Sequence, residues 1–373
     1  MDVLAFASYP VEAAATRYRL EQFVGPLAER GINLRVRPFL DSRLFRALYK
    51  RGELPRTMLG VMRSTLRRAG DVWAARGADV ILVQREAMMI GPPLVEWLAM
   101  RVGRCPLVLD LDDATYVSYT SPTYGRLGSA LKWFSKTDDL IRWAQVVTCG
   151  NRSIAEYVES KGRRAVIIPT VVDTELFRPR AMEATNAQAG PPVLGWIGTH
   201  STFPYLEMIF PALQQLAREH RFRLKVVGAG RARVEIPGVE VESLDWNLAR
   251  EIEDFQSFDI GLYPIDARLY ADQWAAGKSG FKAIQYMAVG VPYVVTPIAA
   301  CKEIGEPQKT HLFAGTQDEW REGLARLLSD EELRRRMGEA GRQHALEHYT
   351  VPVQADKLAG VLREAAAEQG YVE

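Results

Sequence analysis

The chain predicts an α/β fold of two Rossmann-like, doubly wound domains in tandem. Short Val, Ile and Leu runs alternate with longer stretches of helical periodicity, as in parallel sheets covered by helices. That alternation occurs in both halves of the sequence. Between the halves lies RAMEATNAQAGPP, polar and breaker-rich, which reads as a linker around residues 180–192. The expected division is therefore 1–180, 181–350 and a terminal segment 351–373.

In the first half the expected strands are Val3–Ala7, Asn33–Pro38, Val80–Gln84, Leu107–Leu111, Val146–Thr148 and Ala165–Ile168. In the second half they are Val193–Ile197, Arg223–Val227, Val239–Glu242, Ile260–Pro264 and Pro292–Thr296. Each is a short apolar run bounded by turn-forming residues, the pattern of a strand buried on both faces. Ligands of doubly wound sheets bind at the carboxyl ends of strands, so two such domains facing across a cleft would hold a site between them.

Length and composition narrow the function. The 373 residues suffice for two cores, and a formal net charge of +1 gives no reason to expect a nucleic-acid partner. Three isolated cysteines, Cys105, Cys149 and Cys301, form no CxxC pair, which points to a reducing cytoplasm and away from a zinc site. MDVLAFASYP reads as a first strand rather than a signal peptide. The best apolar run, MMIGPPLVEWLAM, is interrupted by Glu96 and falls short of a membrane-spanning helix.

One stretch suggests chemistry directly. GKSGFKAIQYMAVGVPYVV (277–295) holds a helix with Phe281, Ile284, Met287 and Ala288 at helical spacing, Gly290 at its end and a buried strand after it. Ser279 is the expected N-cap, with Gly280, Phe281 and Lys282 opening the first turn. First-turn amides carry partial positive charge, and cations there are disfavoured by about 0.3–1 kcal/mol unless an anion compensates. Lys278 and Lys282 at such a head suggest a phosphate or diphosphate ligand. The alternative is that both lysines are simply solvated. VVGAGRARV carries only Gly228 and Gly230, with Arg233 where a dinucleotide fingerprint needs a third glycine.

The segment Arg43–Arg76 is rich in arginine, with Leu44, Phe45, Leu48, Tyr49, Met58, Leu59, Met62, Leu66 and Trp73 interleaved. Such a basic amphipathic pair of helices suits the surface of an anionic bilayer. The alternative is an apolar face packed on the domain's own sheet with the arginines in water.

Motifs of the second half resemble family 4 glycosyltransferases (glycosyl transferases group 1) of the GT-B fold. They are VIIPTVVDTELFRP, LGWIGTHSTFPYLEMIFPALQQL, KVVGAG, FDIGLYP, QYMAVGVPYVVT and SDEELRRRMGEAGRQHALEHYT, in the family's order. In the first half, ASYPVEAAATRYRLEQFVGPLAERG and LVLDLDDA are similar to a bacterial branch of that family. The resemblance implies sugar transfer from a nucleotide diphosphate sugar to an acceptor hydroxyl. It also implies retention at the anomeric carbon and no metal or other cofactor. It casts 1–180 as the acceptor-side domain, 181–350 as the donor-binding domain and 351–373 as a helix crossing back to the first. Its VVDTEL region is a hinge, where Asp173 caps a turn.

Site residues follow from the same resemblance. Lys278, Ser279, Gly280, Phe281, Lys282 and Gln285, with Gly198, Thr199 and His200 after the Val193–Ile197 strand, are the expected donor ligands. Two glutamates common in the family correspond here to Gly277 and Gln285, so no carboxylate stands at 277, while Gln285 keeps the capacity to bond a ribose hydroxyl. Asp112 or Asp113, near the position where many relatives carry a histidine, is expected to hold a sugar or acceptor hydroxyl, or to take its proton if burial raises its pKa. The bland reading is that these aspartates cap a turn. Tyr9, Arg17 and Arg19 in the first loop and helix, with Arg85 and Glu86 after the third strand, are the expected acceptor ligands; the alternative for the first three is surface charge. The expected partners are a nucleotide-sugar donor and a glycan or lipid-linked acceptor. Peripheral membrane contact through residues 43–76 would place a cytoplasmic protein at the inner face of the membrane. A nucleotide-sugar epimerase and a non-catalytic nucleotide-sugar-binding module are the rival readings.

Overall fold

The structure is a computed structural model that describes residues 1–47, 54–118, 125, 131–180, 190–266 and 277–368. It divides into two compact units. The first comprises Met1–Thr170, Ala276–Ser279 and Val351–Glu373; the second comprises Val171–Ala275 and Gly280–Thr350. The chain thus passes between units at Thr170, before the VVDTEL turn, and most of the expected 180–192 linker lies outside the described residues, as do Leu48 and Tyr49.

The first unit holds a parallel sheet of β1 (Asp2–Ala7), β2 (Asn33–Pro38), β3 (Val80–Gln84), β4 (Leu107–Leu111), β5 (Val146–Cys149) and β6 (Ala165–Ile167). Its order is β2-β1-β3-β4-β5-β6, so the winding reverses between β1 and β3. β3, β4 and β5 are buried along their whole length, which is why they read as mainly apolar runs, with Gln84, Asp110 and Thr148 as their buried polar members. The helix Val351–Ala367 belongs to this unit, where Arg30 Nε donates to Asp356 at 2.7 Å and Arg363 to the Arg30 carbonyl at 2.6 Å.

The helix Leu54–Ala74 in this unit is seated the opposite way from the packed alternative. Thr57, Ser64, Arg68 and Asp71 face inward, while Met58, Leu59, Met62, Leu66 and Trp73 are exposed. Arg68, only 1% exposed, sets that orientation. Its guanidinium donates to the carbonyls of Ala7 (2.8 Å), Arg37 (2.8 Å) and Ala87 (2.7 Å) and to Asp71 (2.9 Å). A buried cation needs such complete satisfaction, and rotating the helix would leave those carbonyls unpaired.

The second unit holds β7 (Val193–Ile197), β8 (Arg223–Val227), β9 (Glu240–Leu244), β10 (Ile260–Tyr263), β11 (Tyr293–Val295) and β12 (His311–Phe313), in the order β12-β11-β10-β7-β8-β9. The reversal falls between β7 and β10. At that point Gly195 pairs with Gly261, and both positions are crowded. A Cβ at Gly195 would lie 1.9 Å from the Phe258 ring, and one at Gly261 2.6 Å from the Tyr286 ring. The Tyr286 hydroxyl lies 3.1 Å from both the Gly195 and Leu262 carbonyls, donating between them. The two glycines therefore seat the helix Phe281–Ala288 directly over the switch point, through Tyr286.

β12 was not expected: three residues beginning with a histidine give no strand signal. Among the described residues, no helix is long and apolar enough to cross a membrane.

Candidate functional site

In the first unit, charged side chains gather at the carboxyl ends of β3 and β4. Arg85 follows β3 in a left-handed conformation, φ 62°, with its amide donating to the Asp110 carbonyl at 2.8 Å. That backbone turns its guanidinium onto Asp112, Nε to Oδ1 at 2.5 Å and Nη2 to Oδ2 at 2.7 Å. Gln84 Nε2 adds a third bond to Asp112 at 3.0 Å. Asp113 Oδ2 lies 3.8 Å from Arg85 and 3.9 Å from the Lys278 ammonium. Burial pushes Asp112 up, but the charge and hydrogen bonds of Arg85 outweigh it, leaving the carboxyl below the ordinary aspartate value. The condition under which Asp112 would take a proton, a raised pKa, is therefore not met. Burial lowers Lys278, Asp113 opposes that, and Arg85 reinforces it.

Lys278 is tied to this unit by its carbonyl, which accepts from Asn151 Nδ2 at 2.9 Å, while Asn151 Oδ1 caps the helix Arg152–Ser160. A Cβ at Gly277 would lie 2.3 Å from Ala114 Cβ, so the glycine allows 277–279 to lie against the Asp113–Ala114 turn. Gln84 and Asn151 escaped the sequence reading because a lone amide carries no spacing signal.

Two expected acceptor ligands are internal instead. Arg19 is buried and bonded to both oxygens of Asp110, which also accepts from Thr148 Oγ1 at 2.6 Å, and to the Ile168 carbonyl. Its donors are consumed in joining the first helix to β4 and β6, so it is a brace of the fold. Glu86 is buried against the Lys136 ammonium at 2.8 Å, and its charge is neutralised there. Tyr9 packs edge-on to Phe45, ring centroids 5.7 Å apart. Arg17 lies over the Tyr18 ring at 4.6 Å and donates to the Glu12 carbonyl.

In the second unit the helix Phe281–Ala288 starts one residue later than its expected cap implied. Gly280, φ 66°, is the N-cap, not Ser279. Glycine offers no side-chain oxygen to the first-turn amides and suits this left-handed position. Lys282 stands in the first turn with its ammonium 5.9 Å from the Tyr263 ring centroid. Gln285, one turn on, is 3% exposed, and its Nε2 finds no acceptor among the described residues. An unpaired buried amide costs about 1–3 kcal/mol, so such a group awaits a partner.

Gly198 follows β7, but the space of its missing side chain is filled from within: a Cβ would lie 2.3 Å from the Trp196 ring. It also lets the chain pass Gly228, whose Cβ position is 2.3 Å from the Gly198 carbonyl oxygen. Thr199 and His200 are exposed, Thr199 bonding Ser201 at 2.8 Å. A cavity of about 310 Å³ opens after β10, β11 and β12, lined by Ile265, Asp266, Thr296, Thr316 and Trp320 among others. The buried Trp320 indole N–H there finds no acceptor among the described residues. No group of three His, Cys, Asp or Glu among the described residues is placed to hold a metal ion.

Comparison with known proteins places these features in a fold. Residues 211–360 match the family model described as Glycosyl transferase-like. No curated protein sequence matches the chain. Sucrose-phosphate synthase from Thermosynechococcus elongatus superposes with a TM-score of 0.70 at 14% identity, covering 98% of this chain and 99% of that one. Anabaena HepE in complex with UDP-glucose gives 0.68 at 16% identity, covering 98% and 100%. A glycosyltransferase from Rickettsia africae gives 0.69 at 12%, covering 98% and 99%. The two parallel six-stranded sheets are thus those of the GT-B glycosyltransferase fold, and the sequence over 211–360 is glycosyl transferase-like.

Proposed function

We propose that the protein is a family 4-type retaining glycosyltransferase, moving a sugar from a nucleotide diphosphate donor to the hydroxyl of a glycan or lipid-linked acceptor without a metal. The observation that carries this reading is the unpartnered Gln285 amide on a glycine-headed helix over the second sheet's switch point. A ribose hydroxyl would satisfy that amide, and the helix start with Lys282 offers fixed positive charge to the diphosphate. HepE was solved with UDP-glucose, which makes UDP-sugars the first donors to test.

In this reading Lys278 is the second cation of the diphosphate, its charge moderated by Asp113. As the glycosyl phosphate bond breaks, charge grows on the departing diphosphate, and donors and cations held in place stabilise it without reorganisation. The acceptor hydroxyl attacks from the face the diphosphate leaves and gives its proton to the leaving phosphate oxygen. Asp112, held low by Arg85, is a poor base and serves with Asp113 to orient hydroxyls or cations.

A thermal-shift panel of nucleotide diphosphate sugars tests the reading. A bound donor at about one hundred times its Kd would stabilise the fold by about 2.7 kcal/mol. Selective stabilisation, followed by sugar transfer with the anomeric configuration kept, is the expected result. A panel in which no donor raises Tm overturns the reading, and turnover of the donor without an acceptor would favour an epimerase.

A further inference from the structure

The helix Leu54–Ala74 sits with its apolar side in water. At 3.6 residues per turn, Met58, Met62, Trp73, Leu66 and Leu59 fall within an arc of about 100°. All five are exposed, Leu66 by 75% and Met58 by 64%. Single exposed hydrophobics are ordinary, but a continuous stripe along one helix marks a surface that meets something apolar. The helix packs against Leu94–Gly103, which also turns Leu94, Trp97 and Leu98 outward.

The border of the stripe is cationic. Arg63 and Arg67 lie along one side of it, about 40° and 80° beyond Leu59, and Arg76 lies over the Trp73 ring at 3.4 Å. The one acid of the helix, Asp71, faces inward and is paired with Arg68. Beside the stripe a groove of about 350 Å³ is lined by Arg43, Arg63, Arg67 and Ser64, with Asp41 engaged in capping its own helix through the Leu44 amide. We propose that this face docks on the surface of a bilayer containing anionic phospholipids, the stripe entering the headgroup boundary and the arginine groove taking a lipid phosphate. A narrow apolar line bordered by bases matches that interface in both shape and charge. As an account of where the acceptor is met, the inference rests on the transferase reading; as a binding claim it is measured without any donor, so the two fail separately.

The experiment sediments the full-length protein with vesicles of phosphatidylcholine alone and of phosphatidylcholine mixed with phosphatidylglycerol. Retention on the mixed vesicles is expected, reduced by high salt. Met62→Glu with Leu66→Glu, and separately Arg43→Ala with Arg63→Ala, should each weaken it about tenfold or more. All four side chains are exposed, so thermal melts of both variants should match the parent. Failure of the parent protein to sediment with anionic vesicles overturns the proposal, as does retention unaffected by the Met62 and Leu66 changes. A parent dimer dispersed by those same changes would assign the stripe to a second copy of the chain instead.

Discussion

Arg85 holds Asp112 by two parallel hydrogen bonds, at 2.5 and 2.7 Å, from a backbone that only a few residue types adopt without cost. Removing the guanidinium leaves a buried carboxylate that still accepts from Gln84 Nε2 but has lost both bonds of the fork. Arg85→Ala should therefore lower stability by about 3 kcal/mol in urea unfolding, and Arg85→Lys should recover only part of it, since an ammonium makes no fork. The sign with pH follows from the depressed Asp112 value: the contribution is present above the ordinary aspartate pKa of 3.8 and is lost as pH falls through the lower folded value. In the Arg85→Ala variant burial is no longer outweighed, so that acid-side loss should be absent and the deficit against the parent should narrow as pH falls.

Gln285 offers a test in which stability and binding move in opposite directions. Gln285→Met keeps the volume and removes the unpaired amide, so the ligand-free protein should gain about 1 kcal/mol. The rise in Tm produced by the best donor should shrink or vanish. A variant that melts lower while keeping the full donor shift would show that Nε2 serves the fold rather than a ligand.

Gly277 stands where the family resemblance implies a glutamate, yet Gly277→Glu should not restore one. Its Cβ would lie 2.3 Å from Ala114 Cβ and 2.9 Å from the Ala114 amide nitrogen. Overpacking of this kind costs about 1–3 kcal/mol, so calorimetry should show a lower Tm, with transfer activity reduced rather than raised.

His311 governs a second pH window. It is stacked on Tyr293 at 5.0 Å and fully buried, and burial, with the charge of His344 adding to it, pushes its pKa from 6.5 down to about 4. The folded state therefore disfavours protonation. Its contribution is full above pH 6.5, falls as pH drops, and is gone near pH 4, a span on the order of 3 kcal/mol. His311→Phe should flatten the stability profile across that window, measured by urea midpoints at successive pH values.

Strands were legible because burial on both faces favours apolar runs, which is why β3, β4 and β7 were read to the residue; β8 was read as closely from Leu224, Val226 and Val227, with Arg223 and Lys225 half-buried between them. β12 escaped because it opens on a histidine and offers no Val or Ile run, unlike the equally short β6 and β11. The helix at Phe281 was legible from its spacing, but its cap was not: Ser279 and Gly280 both suit a helix start, and the choice rests on Gly280 φ and a close approach to Ile304. Arg19, in the first loop and helix, and Glu86, after the third strand, were expected to face an acceptor; sequence does not reveal that Asp110 and Lys136 hold their charges inside the fold. The outward stripe of Leu54–Ala74 was illegible for a deeper reason. Periodicity shows that a helix has two faces, and only partners distant in sequence decide which one turns inward.

Arg68 is that decision in a single side chain, and it has a bearing on the order of assembly. Its acceptors at positions 7, 37 and 87 come together only once the first three strands are paired. Water expulsion alone would press Leu66 inward, and the buried guanidinium opposes that roll. Arg68→Met, which keeps the bulk and loses the donors, should therefore weaken the outward seating, read as a lower urea midpoint together with reduced vesicle retention.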